Sequence, residues 1–168
     1  GERLAMETAQ FFSDHNIGPG SKLVVACHSM GGLITRYALG FLEERGQLEG
    51  IECCSYLSLT APHIGVQAPD WTPRIWINFA AHLPGVTAAM GTHGEQGTFQ
   101  SERQLVYEDL DGDEGMPLLS RMATPGSSYM RALGRFRNRT CVGLTHYDVL
   151  VPCSTATLSL GTQVHEPA

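Results

Sequence analysis

Among the residues able to do chemistry, Ser29 stands in the most telling surroundings, Cys27-His28-Ser29-Met30-Gly31-Gly32. The apolar run before it, Leu23-Val24-Val25-Ala26, reads as a buried strand, and the residues after it carry a helical pattern. Strand, tight turn and helix in that order put a serine on a nucleophile elbow, a strained bend from which the hydroxyl projects at the end of a sheet. Small residues must flank such a serine, because the backbone there passes close to the neighbouring strand and helix. Gly31 and Gly32 do so on one side, and Cys27 stands where G-x-S-x-G has its first glycine. The position is also a helix N-terminus, where N–H groups and the helix dipole favour negative charge. The Met30 backbone amide is therefore the natural first donor to an oxyanion formed in acyl transfer. The bland alternative is a glycine-rich turn with an incidental serine. Strand, Gly-Gly pair and helix in register favour the nucleophile.

The elements that must position this hydroxyl are legible on both sides. Leu33, Ile34, Tyr37, Ala38, Phe41 and Leu42 form an apolar stripe at helical period, stopped by Gly46, with Glu43, Glu44 and Arg45 as the exposed last turn. Upstream, Leu4, Ala5, Thr8, Phe11 and Phe12 give residues 2–14 an amphipathic helix that ends near Asn16. Gly18-Pro19-Gly20 then turns the chain into the elbow strand. Residues 51–59 read as a second buried strand. Helix, strand, helix, strand implies parallel strands with crossovers, hence an α/β sheet with helices on both faces. Sites in such sheets form at the carboxyl ends of strands. The loop Thr60-Ala61-Pro62-His63-Ile64-Gly65 should therefore lie beside the elbow, with His63 lining the site mouth as a substrate-binding residue.

Residues 66–116 are broken by Pro69, Pro73 and Pro84 and by Gly91, Gly94 and Gly97, around an apolar stretch from Trp71 to Leu83. They read either as a lid or acyl-binding wall or as a surface helix packed on the sheet. Beyond them, Leu118, Leu119 and Met122 predict one short helix, and Tyr129, Met130, Leu133 and Phe136 a second. A third strand is expected at 140–145 and a strand-like run at 155–160.

Composition narrows the function classes. The 168 residues are 42% hydrophobic and 17% charged, which fits a single globular domain over residues 1–168. A formal net charge of -6 argues against nucleic acid as the partner. Arg131, Arg135, Arg137 and Arg139 fit the exposed face and end of a helix better than a basic patch. No apolar run approaches the ~20 residues that span a bilayer. The five cysteines, at 27, 53, 54, 141 and 153, contain no C-x-x-C pair. Free thiols in a reducing compartment are expected, hence the cytoplasm or the periphery of an intracellular membrane, with Cys53 and Cys54 facing opposite sides of their strand. No metal or cofactor is implied.

Several blocks, taken in order, resemble one family. They are His28-Ser29-Met30-Gly31-Gly32, Leu57-Ser58-Leu59-Thr60-Ala61-Pro62-His63-Ile64-Gly65, Pro117-Leu118-Leu119-Ser120-Arg121-Met122, Phe136-Arg137-Asn138-Arg139 and Tyr147-Asp148-Val149-Leu150-Val151-Pro152. Together they are similar to the putative serine esterase domain family (domain of unknown function 676), a lipase-like branch of the α/β-hydrolases, over most of residues 1–160. Departures are Cys27 for the first glycine and the spelling around Ala61. The resemblance implies more sheet than these residues supply, so an N-terminally partial domain is expected, lacking the loop that gives the second oxyanion amide. One donor instead of two would cost on the order of 10²–10³ in rate.

The chain order of this fold, nucleophile then acid then histidine, implies Ser29, Asp148 and His165. Asp148, at the end of the third strand, would hold the histidine's tautomer and stabilise the imidazolium; its alternative is a turn aspartate. Asp109, Asp111 and Asp113 sit in an acidic loop with no strand leading into it. His165 is the single histidine after Asp148, its alternatives being an exposed tail residue or a base beyond residue 168. His28 should point away from the catalytic face into packing, and His146 belongs to its strand end. The implied function is a serine hydrolase cleaving carboxylic esters, of lipids or small molecules, through an acyl-enzyme, with transient contact to a membrane surface. The rival is a hydrolase scaffold that binds a partner or lipid without catalysis.

Overall fold

The computed structural model describes residues 1–65, 115–146, 148 and 151–159. By compactness the chain divides into two units, Gly1–Ile64 with Ser120–Ala168, and Gly65–Leu119. Of the second unit, Gly65 and residues 115–119 are described, including a bend at Gly115 (φ +62°) ahead of a helix. The expected lid or surface helix at 66–116 otherwise lies outside the described residues, as does His165.

The first unit is a three-stranded parallel sheet with helices around it. Helix α1 spans Glu2–Asp14, strand β1 Lys22–His28, helix α2 Met30–Glu44 and strand β2 Glu52–Leu59. Then follow helices α3, Leu118–Ala123, and α4, Ser128–Gly134, strand β3, Asn138–Val142, and helix α5, Cys153–Thr157. The strands lie in the order β1-β2-β3, each pair parallel, as the alternation of helix and strand predicts.

The register assigns the two faces of the sheet. Leu23, Val25 and Cys27 of β1 align with Cys53, Tyr56 and Ser58 of β2. This face packs with Ala5 of α1, Ala38, Leu39 and Leu42 of α2, Leu48, Ala132 of α4 and Phe136 into one core. A bulge between Leu23 and Val24 lets Cys53 and Tyr56, an odd spacing, share that face. The opposite face carries Val24, Ala26 and His28, all exposed, with Val24 at 65%.

Two close approaches bring α2 onto its neighbours. A Cβ built on Gly40 would stand 2.2 Å from the Tyr129 ring of α4, and one on Gly32 2.5 Å from Ala61. Helix α2 is consequently rotated from the expected stripe. Gly32, Leu33, Arg36, Ala38, Leu39, Gly40 and Leu42 are buried, while Ile34 is exposed and Tyr37 and Phe41 are half-buried. Glu43, expected in an exposed turn, is covered by Arg135, whose Nη2 donates to Glu43 Oε1 at 3.2 Å. Gly46 (φ +68°) ends the helix region as predicted.

The third strand begins and ends earlier than expected, because its pairing with β2 stops where Val142 meets Leu59. The run at 155–160 is a correction: Cys153–Thr157 is helical, entered from Pro152 and ended by Leu158 in the left-handed region (φ +58°). Thr157 satisfies its hydroxyl by donating to the Cys153 carbonyl one turn back, 2.7 Å, which lets a β-branched residue sit in a helix. The arginine cluster is structural. Arg137 donates to Glu52 at 2.7 Å, and Arg139 to the Phe136 carbonyl at 2.9 Å. Among the described residues no helix is long and apolar enough to cross a membrane.

Candidate active site

Ser29 sits at the junction of β1 and α2 with φ +51° and ψ −134°. A non-glycine residue in this left-handed region is strained, at about 1–3 kcal/mol, and persists where the surroundings over-determine it. The constraints are visible. Ser29 N–H donates to the Leu59 carbonyl at 2.9 Å, tying the bend to the end of β2, and its carbonyl accepts from Gly32 N–H at 3.0 Å. Ser29 and Met30 are half-buried. Met30 opens α2, at the end that carries the positive pole of the helix dipole, ahead of the Gly32 N–H already given to the Ser29 carbonyl. A strained serine at a helix N-terminus is the backbone arrangement that acyl-transfer chemistry calls for.

Cys27 replaces the elbow's first glycine without touching this chemistry. Its side chain turns inward, with Sγ donating to the Leu57 carbonyl at 3.4 Å and lying 3.5 Å from Tyr56 Oη. Burial pushes the thiol up from its ordinary value, so it stays protonated and is no competing nucleophile. His28 alternates to the other face and is exposed rather than packed.

Asp148 lies in the loop between β3 and α5, not at the strand end. It is half-buried, and its Oδ1 accepts from Val151 N–H at 2.8 Å. That bond shapes the turn into α5.

His63 does not line an open mouth. It is 4% exposed, with Nε2 2.6 Å from Ser58 Oγ and Nδ1 3.5 Å from Arg36 Nη1. Arg36 Nη1 also donates to the His63 carbonyl at 3.0 Å, and Nη2 to the Met122 carbonyl at 3.4 Å. Burial first, and the Arg36 charge second, lower the His63 pKa from 6.5 to about 4, so the ring is neutral. Its reassignment follows from packing: both ring nitrogens face protein groups.

Arg36 and Ser58 were not singled out from sequence. A signal existed for Arg36, which lies four residues from both Gly32 and Gly40 on the face where small residues mark close packing. Ser58, inside an apolar strand, carried none.

With this geometry in place, comparison with known proteins gives a consistent picture. A curated protein of Schizosaccharomyces pombe (strain 972 / ATCC 24843), named Putative lipase C4A8.10, is 24% identical over 147 residues, covering 84% of this chain. The chain spans 17% of that relative's length. No solved structure gives a significant match. A family model described as Putative serine esterase (DUF676) matches residues 1–160, from α1 through the elbow and the Asp148 loop to α5. The match takes in nearly the whole chain, and the chain belongs to that serine esterase family.

Proposed function

We propose that this chain carries the nucleophile and acid of a serine esterase that cleaves carboxylic esters through an acyl-enzyme. One observation carries the reading: Ser29 held at φ +51° between β1 and the N-terminus of α2. Ser29 Oγ attacks the ester carbonyl carbon, and its proton passes to an imidazole, for which His165 is the candidate within this sequence. The carbonyl oxygen, now an oxyanion, accepts from the Met30 N–H. Collapse of the tetrahedral species breaks the bond to the alcohol, which leaves with the imidazole's proton. Water then repeats the sequence on the acyl-enzyme and releases the acid. Asp148 holds the imidazole's tautomer and stabilises its protonated form.

Lipid esters are the substrate class we favour. The support is the lipase name of the fission-yeast relative and the apolar stretch 71–83. A reducing compartment, cytoplasmic or at the surface of an intracellular membrane, is part of the same proposal.

A fluorophosphonate probe applied to the protein carrying this chain should form a one-to-one adduct on the peptide containing Ser29. Ser29→Ala should abolish the adduct and lower hydrolysis of a p-nitrophenyl acyl ester by at least about 10³. Labelling that persists in the variant removes Ser29 from the mechanism. Neither labelling nor turnover in the parent protein is the outcome of a non-catalytic scaffold.

A further inference from the structure

The pair Ser58–His63 has the bond length of a nucleophile and its base, yet Ser58 is 0% exposed and His63 4%, so no substrate reaches it. Its chemistry must act through position. The pair holds a short loop, residues 60–64, that is fastened to several elements at once. Thr60 N–H donates to the Val142 carbonyl at the end of β3 at 2.7 Å. Ala61, fully buried, abuts Gly32 in the first turn of α2. His63 binds Ser58 of β2 and Arg36 of α2. Ile64 N–H donates to Thr155 Oγ1 of α5, 3.1 Å, and α5 is the helix entered through the Asp148 turn.

Arg36 is donor-only, so the neutral ring presents a bare Nδ1 to it and its N–H to Ser58 Oγ through Nε2. This orientation matches both neighbours at once. The loop bridges the helix that starts at Ser29 and the helix entered through the Asp148 turn.

We propose that His63 is a positioning residue: through Ser58 and Arg36 it locks the 60–64 loop onto α2, and through Ile64 that loop sets where the Asp148 turn stands relative to Ser29. The proposal rests on the reading of Ser29 and Asp148 as nucleophile and acid, and one experiment separates the two. In the protein carrying this chain, His63→Ala should slow fluorophosphonate labelling of Ser29 and lower kcat by about 10–100-fold, since small misplacements remote from the chemistry cost that much. KM should stay within about twofold, because uniform binding is untouched. Labelling at saturation should still approach one per chain, and His63→Gln, whose amide reaches Ser58 as Nε2 does, should recover most of the rate.

If instead His63→Ala lowers only the labelled fraction, with the rate constant of the remaining sites unchanged, His63 serves folding alone and the proposal falls. Unchanged kcat with full labelling overturns it equally. Should His63→Ala fail to fold, Ser58→Ala removes the same bond from the other end and carries the same expectation. Persistent labelling in Ser29→Ala would overturn the active-site reading itself, which no His63 variant can do.

Discussion

At the scale of single residues, the site is built from side chains whose ordinary chemistry is suppressed or redirected by where they stand. Cys27, the more acidic nucleophile by type, is turned inward and kept as a thiol, while Ser29, the weaker one, stands on a strained backbone. His63, an imidazole that would titrate near neutrality in water, is kept neutral by burial and by the Arg36 guanidinium. The latter has a consequence for stability. The native ring takes up a proton only near about 4, against 6.5 for the ordinary imidazole. Between those values the unfolded chain binds the extra proton, so stability falls as pH drops through 6.5 towards about 4 and is level in this respect above 6.5. His63→Gln removes the titrating group. The difference in unfolding midpoint between parent and variant, followed from pH 7 to pH 4, should shift steadily against the parent on acidification. A difference independent of pH would mean that His63 is protonated as readily in the folded protein as outside it.

At the scale of elements, the loop from β3 to α5 carries one duty that the structure shows and one that we propose, and a single substitution can part them. Asp148 Oδ1 accepts from Val151 N–H and so forms the turn into α5, which any carbonyl-bearing side chain of this length would also do. The acid's duty requires a charge. Asp148→Asn keeps the turn and loses the charge, so thermal stability should hold within about 0.5 kcal/mol while kcat falls by about 10⁴. An active Asp148→Asn enzyme would leave only the turn.

The same elements show what the sequence can express. Strand β1, the elbow and the extent of α2 were legible because apolar period, Gly-Gly and Gly46 all speak locally. The face α2 buries was not, because Gly32 and Gly40 are defined by what abuts them, Ala61 and Tyr129, far along the chain. For the same reason Arg36 drew no reading of its own, and Ser58 stayed an unremarked strand position. Helix α5 was misread as strand-like because Ser154, Thr155 and Thr157 carry no helical apolar stripe, and Pro152 is the stronger local signal.

At the scale of the whole molecule, the elbow and the core are mechanically one object, and Phe136 shows it. Phe136 is 1% exposed, packs edge-on against Tyr56 with ring centroids 5.9 Å apart, and lies between α4 and β3. Tyr56 in turn donates its hydroxyl to the Gly32 carbonyl at 3.2 Å, one turn into the helix that Ser29 begins. Phe136→Ala therefore removes packing shared by β2, α2 and α4 rather than by one of them. The expected loss is about 3–5 kcal/mol, a large fraction of a typical domain's stability. Because the core is common, the loss should appear as one shifted transition. Amides of β1, β2 and α2 should lose exchange protection by the same free energy as α4, and helical circular dichroism should fall at the same denaturant concentration. Loss confined to α4, with β2 and the elbow still protected, would mean that α4 is an appendage and that Ser29 is held by α2 and the sheet alone. Phe136→Leu, which keeps much of the volume, should recover more than half of the lost stability, since volume-conserving swaps in a packed core cost less than about 1.5 kcal/mol.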